Sequence, residues 1–447
     1  MKKKRVRVAI LTFTTVLLSL HYSVSIAQTN NNQNVARYNI GITSVPAGTE
    51  VKLTLAGRFQ SYNSKTSHTA DKYDKSISSP KSVNFSQDGN KFYVHSLEGY
   101  STSVYDTETM TLKKVIRHNF TIYNEHLFVN NETTVFGYKY REEHEDYNIF
   151  NGKPVESCMS HNGKYLWVTY YRRDFDLNAE CPSALAIIDT EKDSIVRIMP
   201  TGPLPKMIAC SPDNQYIAVT HWGDNTLGII DISSDTVRNF KYISHLTVDY
   251  KATLDFGKEP VNRDQKCGNC LRGTVFSTDG KYLFVGKMGG SGGIAMFSVP
   301  EFQYLGTVTG SKSNLRHLII FEEELIISTN NTGYIQKAPL SEIIKAKNDV
   351  PGKSVAYSSW KDCYVGSGVR TIDISSNGEY IFACVNNECK IAVVRSTDMK
   401  LICTVNADAY PVGMALSPDD SKLIVTSQGK SEKGGNSVMV YEVTYFR

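Results

Sequence analysis

The run SPDNQYIAVTHWGDNTLGIIDISSDT, Ser211–Thr236, decides the fold. It opens on a tight Asp-Asn turn, continues as an apolar strand YIAV, crosses a short polar loop HWGDNT, and returns as a second apolar strand LGII that stops at Asp231. Asp, Asn and Gly favour turn geometry, and short apolar runs bounded by them read as paired antiparallel strands. The same opening recurs as SQDGNKFYV from Ser86, SHNGKYLWV from Ser160, STDGKYLFV from Ser277, SSNGEYIFA from Ser375 and SPDDSKLIV from Ser417. Second strands follow in STSVYDTET, ALAIIDTEKD and KIAVVRSTD, and third strands in TLKKVIRH and KLICTVNA.

With the strand that precedes each turn, the unit has four short strands. A four-stranded repeat of roughly 40 to 45 residues is the signature of a propeller blade. Two intervals are double length and each holds a weaker copy, HLFVNNETTVFGYKY from His126 and ELIISTNNTGYIQKA from Glu324. The fold expected is therefore all-β, a single closed β-propeller of four-stranded blades. The repeat count favours eight blades, and seven if one weak copy is irregular. The last unit runs out after its third strand, so a strand between Arg37 and Phe59 is expected to close the ring and leave no open sheet edge. The expected divisions are a leader over 1–27, an N-terminal segment over 28–77 that supplies the closing strand, and the propeller over 78–447.

YIAVTHWGDNTLGIIDISSDT, with SPDN ahead of it, resembles the YVTN-repeat, or YncE-like, β-propeller family, over roughly residues 78 to 447. The resemblance implies architecture and not a reaction, since propellers of this kind include binding proteins, lactonases and domains of reductases. Long insertions at Tyr171–Pro182 and Phe240–Cys270 depart from the family's regular pattern.

Lys2, Lys3, Lys4, Arg5 and Arg7 precede an apolar run from Val8 to Leu20 and the small residues Ser25 and Ala27. That order reads as a secretory signal peptide, with the mature chain expected to begin at Gln28 and to be exported to the periplasm or the extracellular space. Removing the leader leaves 44 basic against 45 acidic residues. Net charge therefore does not support nucleic acid as a partner, and no other uncharged stretch is long enough to span a membrane.

In a four-stranded blade the loops after the second strand and between blades emerge at one rim, here the upper rim, where the irregular segments collect. Aligning the inner strands SPKSVNF, LPKMIAC, CLRGTVF, NLRHLII and GVRTIDI puts Lys81, Lys206, Arg272, Arg316 and Arg370 at one equivalent position, the channel mouth. Val155 and Val412 stand in that register in two other units, and Asn119 lies near it in the remaining one. Such a ring would focus positive potential in a cleft and take an anionic small molecule, a saccharide or a protein partner. The competing reading is structural pairing with Glu156, Asp224, Asp264 and Asp362. His221, Trp222, Tyr170, Arg172, Arg173 and Lys287 fall on the same rim and complete the candidate ligand contacts. Each also has a plainer reading, as core packing or loop ion pairs.

The Gly-rich run GKMGGSGG, Gly286–Gly293, lacks the setting of a phosphate-binding loop, and no nucleophile elbow is read in the chain. Of nine cysteines, Cys158, Cys210 and Cys403 read as buried apolar residues. Cys267 and Cys270 form CGNC, expected as a local disulfide or a bridge to Cys181 or Cys363; neither a cofactor nor a metal is expected, a zinc site using His221 or His317 being the lesser alternative. Cys384 and Cys389 flank an expected Asn-Asn hairpin, which would set them opposite one another about 4.5 Å apart, close enough for a cross-strand disulfide. The function expected first is an exported binding scaffold. A lactonase-type hydrolase using His221 or His317 comes second, and a thiol-redox protein using CGNC third.

Overall fold

The computed structural model describes residues 37–429 and 435–446, so the expected leader over 1–27 lies outside the described residues. Seven sheets of at least four strands follow one another along the chain, over residues 80–117, 150–201, 205–247, 271–309, 315–364, 369–406 and 411–445; these are blades 1 to 7. Their inner strands, Pro80–Phe85, Phe150–Ser160, Pro205–Cys210, Leu271–Phe276, Leu315–Phe321, Val369–Ile374 and Pro411–Leu416, each pack against the next, and the seventh packs against the first. The result is a closed seven-bladed propeller.

The count of eight is corrected to seven. The Glu324 copy is the second strand of blade 5, reached from Leu315–Phe321 through a turn at Glu322 and Glu323. The His126 copy is not a blade. It forms a short 3-10 helix, Ile122–Leu127, and irregular chain with left-handed Asn130, Asn131 and Phe136. Its aromatic residues serve as packing: Phe136 stacks on His245 with centroids 4.0 Å apart, and Tyr138 reaches Asp224.

The recurring Ser-x-Asp has a local cause. Ser86 Oγ donates to Asp88 (2.6 Å) and accepts from the Lys91 amide (3.0 Å), which locks the turn onto the start of the second strand. Ser211 with Asp213, Ser277 with Asp279 and Ser417 with Asp419 repeat it. Each blade then buries both faces of its middle strands against its neighbours, as with Trp167, Ile187, Ile217 and Ile230 between blades 2 and 3.

Strand Val51–Gln60 pairs antiparallel with Ser437–Tyr445 and forms the fourth strand of blade 7. It buries Val51, Leu53, Leu55 and Phe59. Its Arg58 is held between Asp71 and Asp408, the latter at 3.2 Å. Among the described residues no helix is long and apolar enough to cross a membrane.

Candidate functional site

Every inner strand carries a register shift against its neighbour at the channel-mouth position, for example between Pro80 and Val83, Leu271 and Thr274, and Val369 and Ile372. Such irregularities re-aim side chains. Here they accompany Lys81, Lys206, Arg272, Arg316 and Arg370 into one enclosure, where burial and the like charges lower the pKa of Lys81, Lys206, Arg316 and Arg370. Burial, then Arg370, Lys206, Arg272 and Arg316, holds the Lys81 ammonium well below the usual lysine range. Lys206 falls to about 8 through burial and the nearby Arg272 and Arg316, with Asp264 opposing the shift. Burial and Arg272 bring Arg370 down to about 10 and lower Arg316 strongly.

Two carboxylates reach the ring. Glu156 Oε1 accepts from Arg272 Nη2 at 2.8 Å, and Asp264 Oδ1 accepts from Lys206 Nζ at 2.6 Å. The other two expected partners lie elsewhere: Asp224 is buried against Tyr138 and Thr226, and Asp362 pairs with Lys312. Glu156 rather than Val155 meets the ring because the inner strand of blade 2 slips register twice, the second time between Pro154 and Ser157, and Val155 turns into the core. Lys81 donates to Gln428 at 2.6 Å, and Arg316 contacts Met288 Sδ at 3.5 Å. The Nε of Arg370 is buried without a partner. Among the described residues, two of the five basic groups thus have a carboxylate partner, and Lys81, Arg316 and Arg370 have none.

The aromatic wall of Lys206 comes from the Tyr171–Pro182 insertion and from the short loop after strand Tyr216–His221. Its Nζ lies 4.5 Å from the Tyr171 ring centroid and 4.9 Å from that of Trp222. Trp222 is itself mostly buried, packs with Ala179, Leu204 and Cys267, and donates from Nε1 to the Asp264 carbonyl at 3.2 Å.

Four other candidates are removed from ligand contact by burial. His221 is fully buried and bridges Thr201 and Thr226, because it is the last residue of strand Tyr216–His221 and not part of the loop. Burial lowers its pKa well below the usual histidine value, as it does for His245, brought to about 4. Tyr170 is fully buried on His118 Nδ1 at 2.8 Å. Arg173 is buried under the Thr133 and Ser183 carbonyls, and its guanidinium lies 4.6 Å from the Phe150 ring centroid. Lys287 is buried on Asp249 (2.6 Å) and Ser291 (2.9 Å). Arg172 stays part-exposed and donates to the Leu177 carbonyl within its own loop.

Gly289–Gly293 does have the GxSxG spacing of a hydrolase elbow, which corrects the reading that the chain has none. The run is nonetheless a hairpin connection between strands Tyr282–Lys287 and Ile294–Ser298, and Ser291 binds a lysine and not a histidine. Cys267 and Cys270 form a disulfide, Cα–Cα 4.8 Å, that staples the insertion carrying Asp264 just ahead of Arg272. The Cys384–Cys389 bridge does not form: Asn386–Glu388 make a 3-10 turn, Cys389 takes a left-handed conformation, and Cys384 faces Ile391. Both are free thiols. No group of His, Cys, Asp and Glu that could hold a metal occurs among the described residues.

No family model matches the chain, and no curated protein matches its sequence. Solved structures do resemble it. The hydrazine synthase of Kuenenia stuttgartiensis matches with a TM-score of 0.55 at 14% identity, over 85% of this chain and 99% of that one. The Cps50 (Swd1) β-propeller domain of Myceliophteria thermophila gives 0.54 at 13% identity, over 82% and 98%. A chain of the mitotic checkpoint complex gives 0.54 at 12%, over 96% and 100%. At these identities the likeness is one of fold.

Proposed function

We propose that this protein is an exported binding scaffold that captures an anionic ligand at the upper mouth of its channel. The supporting observation is the ring of Lys81, Lys206, Arg272, Arg316 and Arg370, in which only Lys206 and Arg272 have a carboxylate partner among the described residues. Enclosure strengthens the argument, because charges gathered in a low-dielectric cleft focus their field on whatever enters it. Structural ion pairing accounts for two of the cations and leaves the others unexplained. The lactonase-type reading loses its first base, since His221 is sealed below the surface. The CGNC disulfide is placed as a staple of the insertion that delivers Asp264.

The test is binding of citrate and sulfate by calorimetry, comparing the wild type with the Arg272→Ala, Arg316→Ala double variant. Affinity falls in the variant, and added sodium chloride weakens the wild type more than the variant. Equal affinities, or an equal response to salt, would remove the proposal.

A further inference from the structure

The ring is not uniform around its circumference. On one side Lys206 and Arg272 are answered by Asp264 and Glu156. On the other, Arg316 and Arg370 stand on adjacent inner strands, Leu315–Phe321 and Val369–Ile374, with no carboxylate at ion-pair distance among the described residues. Arg316 has only the Met288 thioether, and the buried Arg370 Nε has nothing.

His317 follows Arg316, and its Nδ1 accepts the Ile372 amide at 3.4 Å. An imidazole nitrogen that accepts carries no proton, so in the neutral ring Nε2 holds it. That Nε2–H has no partner among the described residues. The charged groups that act on the imidazole are both cationic, Arg272 on the inner strand of blade 4 and Arg316 on its own strand. Burial, Arg272 and Arg316 together hold its pKa at about 4, which keeps the ring neutral through the physiological range. The nearest thiol on the Arg370 side, Cys384, is raised by burial and stays protonated.

A single hydroxyl sets these groups in place. Ser328 Oγ, on strand Glu324–Thr329, accepts from the His317 amide at 3.1 Å and donates to the Arg370 carbonyl at 2.6 Å. It clamps both inner strands at the point where their register slips.

Building on the anion-binding reading, we infer that Arg316, Arg370 and the neutral Nε2–H of His317 form the seat of a doubly charged oxyanion group, of the sulfate or phosphate type. Two guanidinium charges with no carboxylate at ion-pair distance among the described residues match two negative charges. Guanidinium forks present paired donors to such oxygens. The imidazole adds a donor whose strength does not vary with pH above about 5.

Sulfate tests this on the full chain, because it remains a dianion throughout the range used. Its binding is measured by calorimetry at pH 5.5, 6.5 and 7.5, with ionic strength held constant by sodium perchlorate, a monovalent competitor. Sulfate binds in preference to perchlorate, with an affinity constant within about twofold over that range. Arg316→Gln and Arg370→Gln each lose roughly tenfold or more, as expected for hydrogen bonds to a charged group. His317→Ala loses roughly fivefold, while His317→Gln, whose amide donates at similar reach, keeps affinity within about threefold. Melting curves establish that each variant is folded. Phosphate and a dicarboxylate such as malonate then separate tetrahedral from planar oxyanions, and malonate binding more tightly than sulfate would overturn the class assigned. If Lys206→Gln abolishes sulfate binding and the Arg316 and Arg370 variants do not, the ring binds anions but this seat is wrong. Affinity that falls as pH rises through 6.5 refutes the neutral donor. No binding by the wild type refutes both this inference and the reading beneath it.

Discussion

Replacing Glu156 with Gln separates an anion-binding ring from a structural ion-pair network, because the two readings give opposite signs for ligand response. The Arg272–Glu156 contact is 2.8 Å with side chains 9% and 19% exposed. Removing one partner of a buried pair costs about 3–5 kcal/mol. Gln keeps an acceptor for Arg272, so about 2–3 kcal/mol is expected here. For a chain of this length the unfolding entropy makes each kcal/mol worth about 1 °C, giving a fall in Tm of about 2–3 °C. Anion binding moves the other way. Glu156 is close enough to act on both Arg316 and Arg370. At about 10 Å and an effective permittivity of about 40, its charge repels a dianion by about 1.7 kcal/mol, so its loss tightens sulfate binding by roughly fifteenfold. The assay is thermal melting across a sulfate titration at constant ionic strength, where bound ligand raises stability as RT ln(1 + [L]/Kd). The variant should melt earlier without sulfate and gain more with it. A variant that melts earlier and gains no more, or less, than the wild type would refute the anion-binding reading and leave structural pairing.

Sulfate affinity should decline about two- to threefold as pH rises through about 8, because Lys206, charged below that value and neutral above it, withdraws one positive charge from the enclosure; isothermal titration at pH 7 and 9 checks this. Deleting residues through Gln60 removes Val51, Leu53, Leu55 and Phe59 from blade 7, about 6–12 kcal/mol of apolar burial, and should leave a chain that no longer gives a cooperative melt. His95 and His118 are buried and held at about 3, so the unfolded chain binds protons below pH 6.5 that the native chain does not. Stability should therefore fall on acidification from pH 6.5, by up to about 1.4 kcal/mol per pH unit for each imidazole, and His118→Asn should flatten the slope seen in urea melts. Alkylation of unfolded, unreduced protein should label Cys384 and Cys389 and spare Cys267 and Cys270; mass mapping that finds Cys384 joined to Cys389 would overturn the turn geometry given above.

The sequence by itself determined the architecture, because the forces that build a blade are local and repeated. Ser-x-Asp turns, short apolar strands and their spacing specify one hairpin after another, and stacking is the only way such units bury both faces. The same register placed Lys81, Lys206, Arg272, Arg316 and Arg370 at one height, since each stands five residues before its turn, or, for Arg316, at the matching place in NLRHLII. What tertiary structure decided were matters of one residue or one neighbour. A register slip in blade 2 turned Glu156 toward Arg272 in place of Val155, and a 3-10 turn set Cys384 opposite Ile391 in place of Cys389. His221, which looked like a loop residue, ends a strand and is sealed beneath Thr201 and Gly202. The His126 segment carried apolar residues at strand-like spacing but makes a single isolated bridge, Phe128 to Ile198, and packs Leu127 and Phe128 on blade 2 and Phe136 on blade 3. Strand pairing depends on which backbone edge is free, and charge pairing on which long side chain reaches across the channel. Both are relations between residues far apart in the chain, so no local pattern in the sequence encodes them.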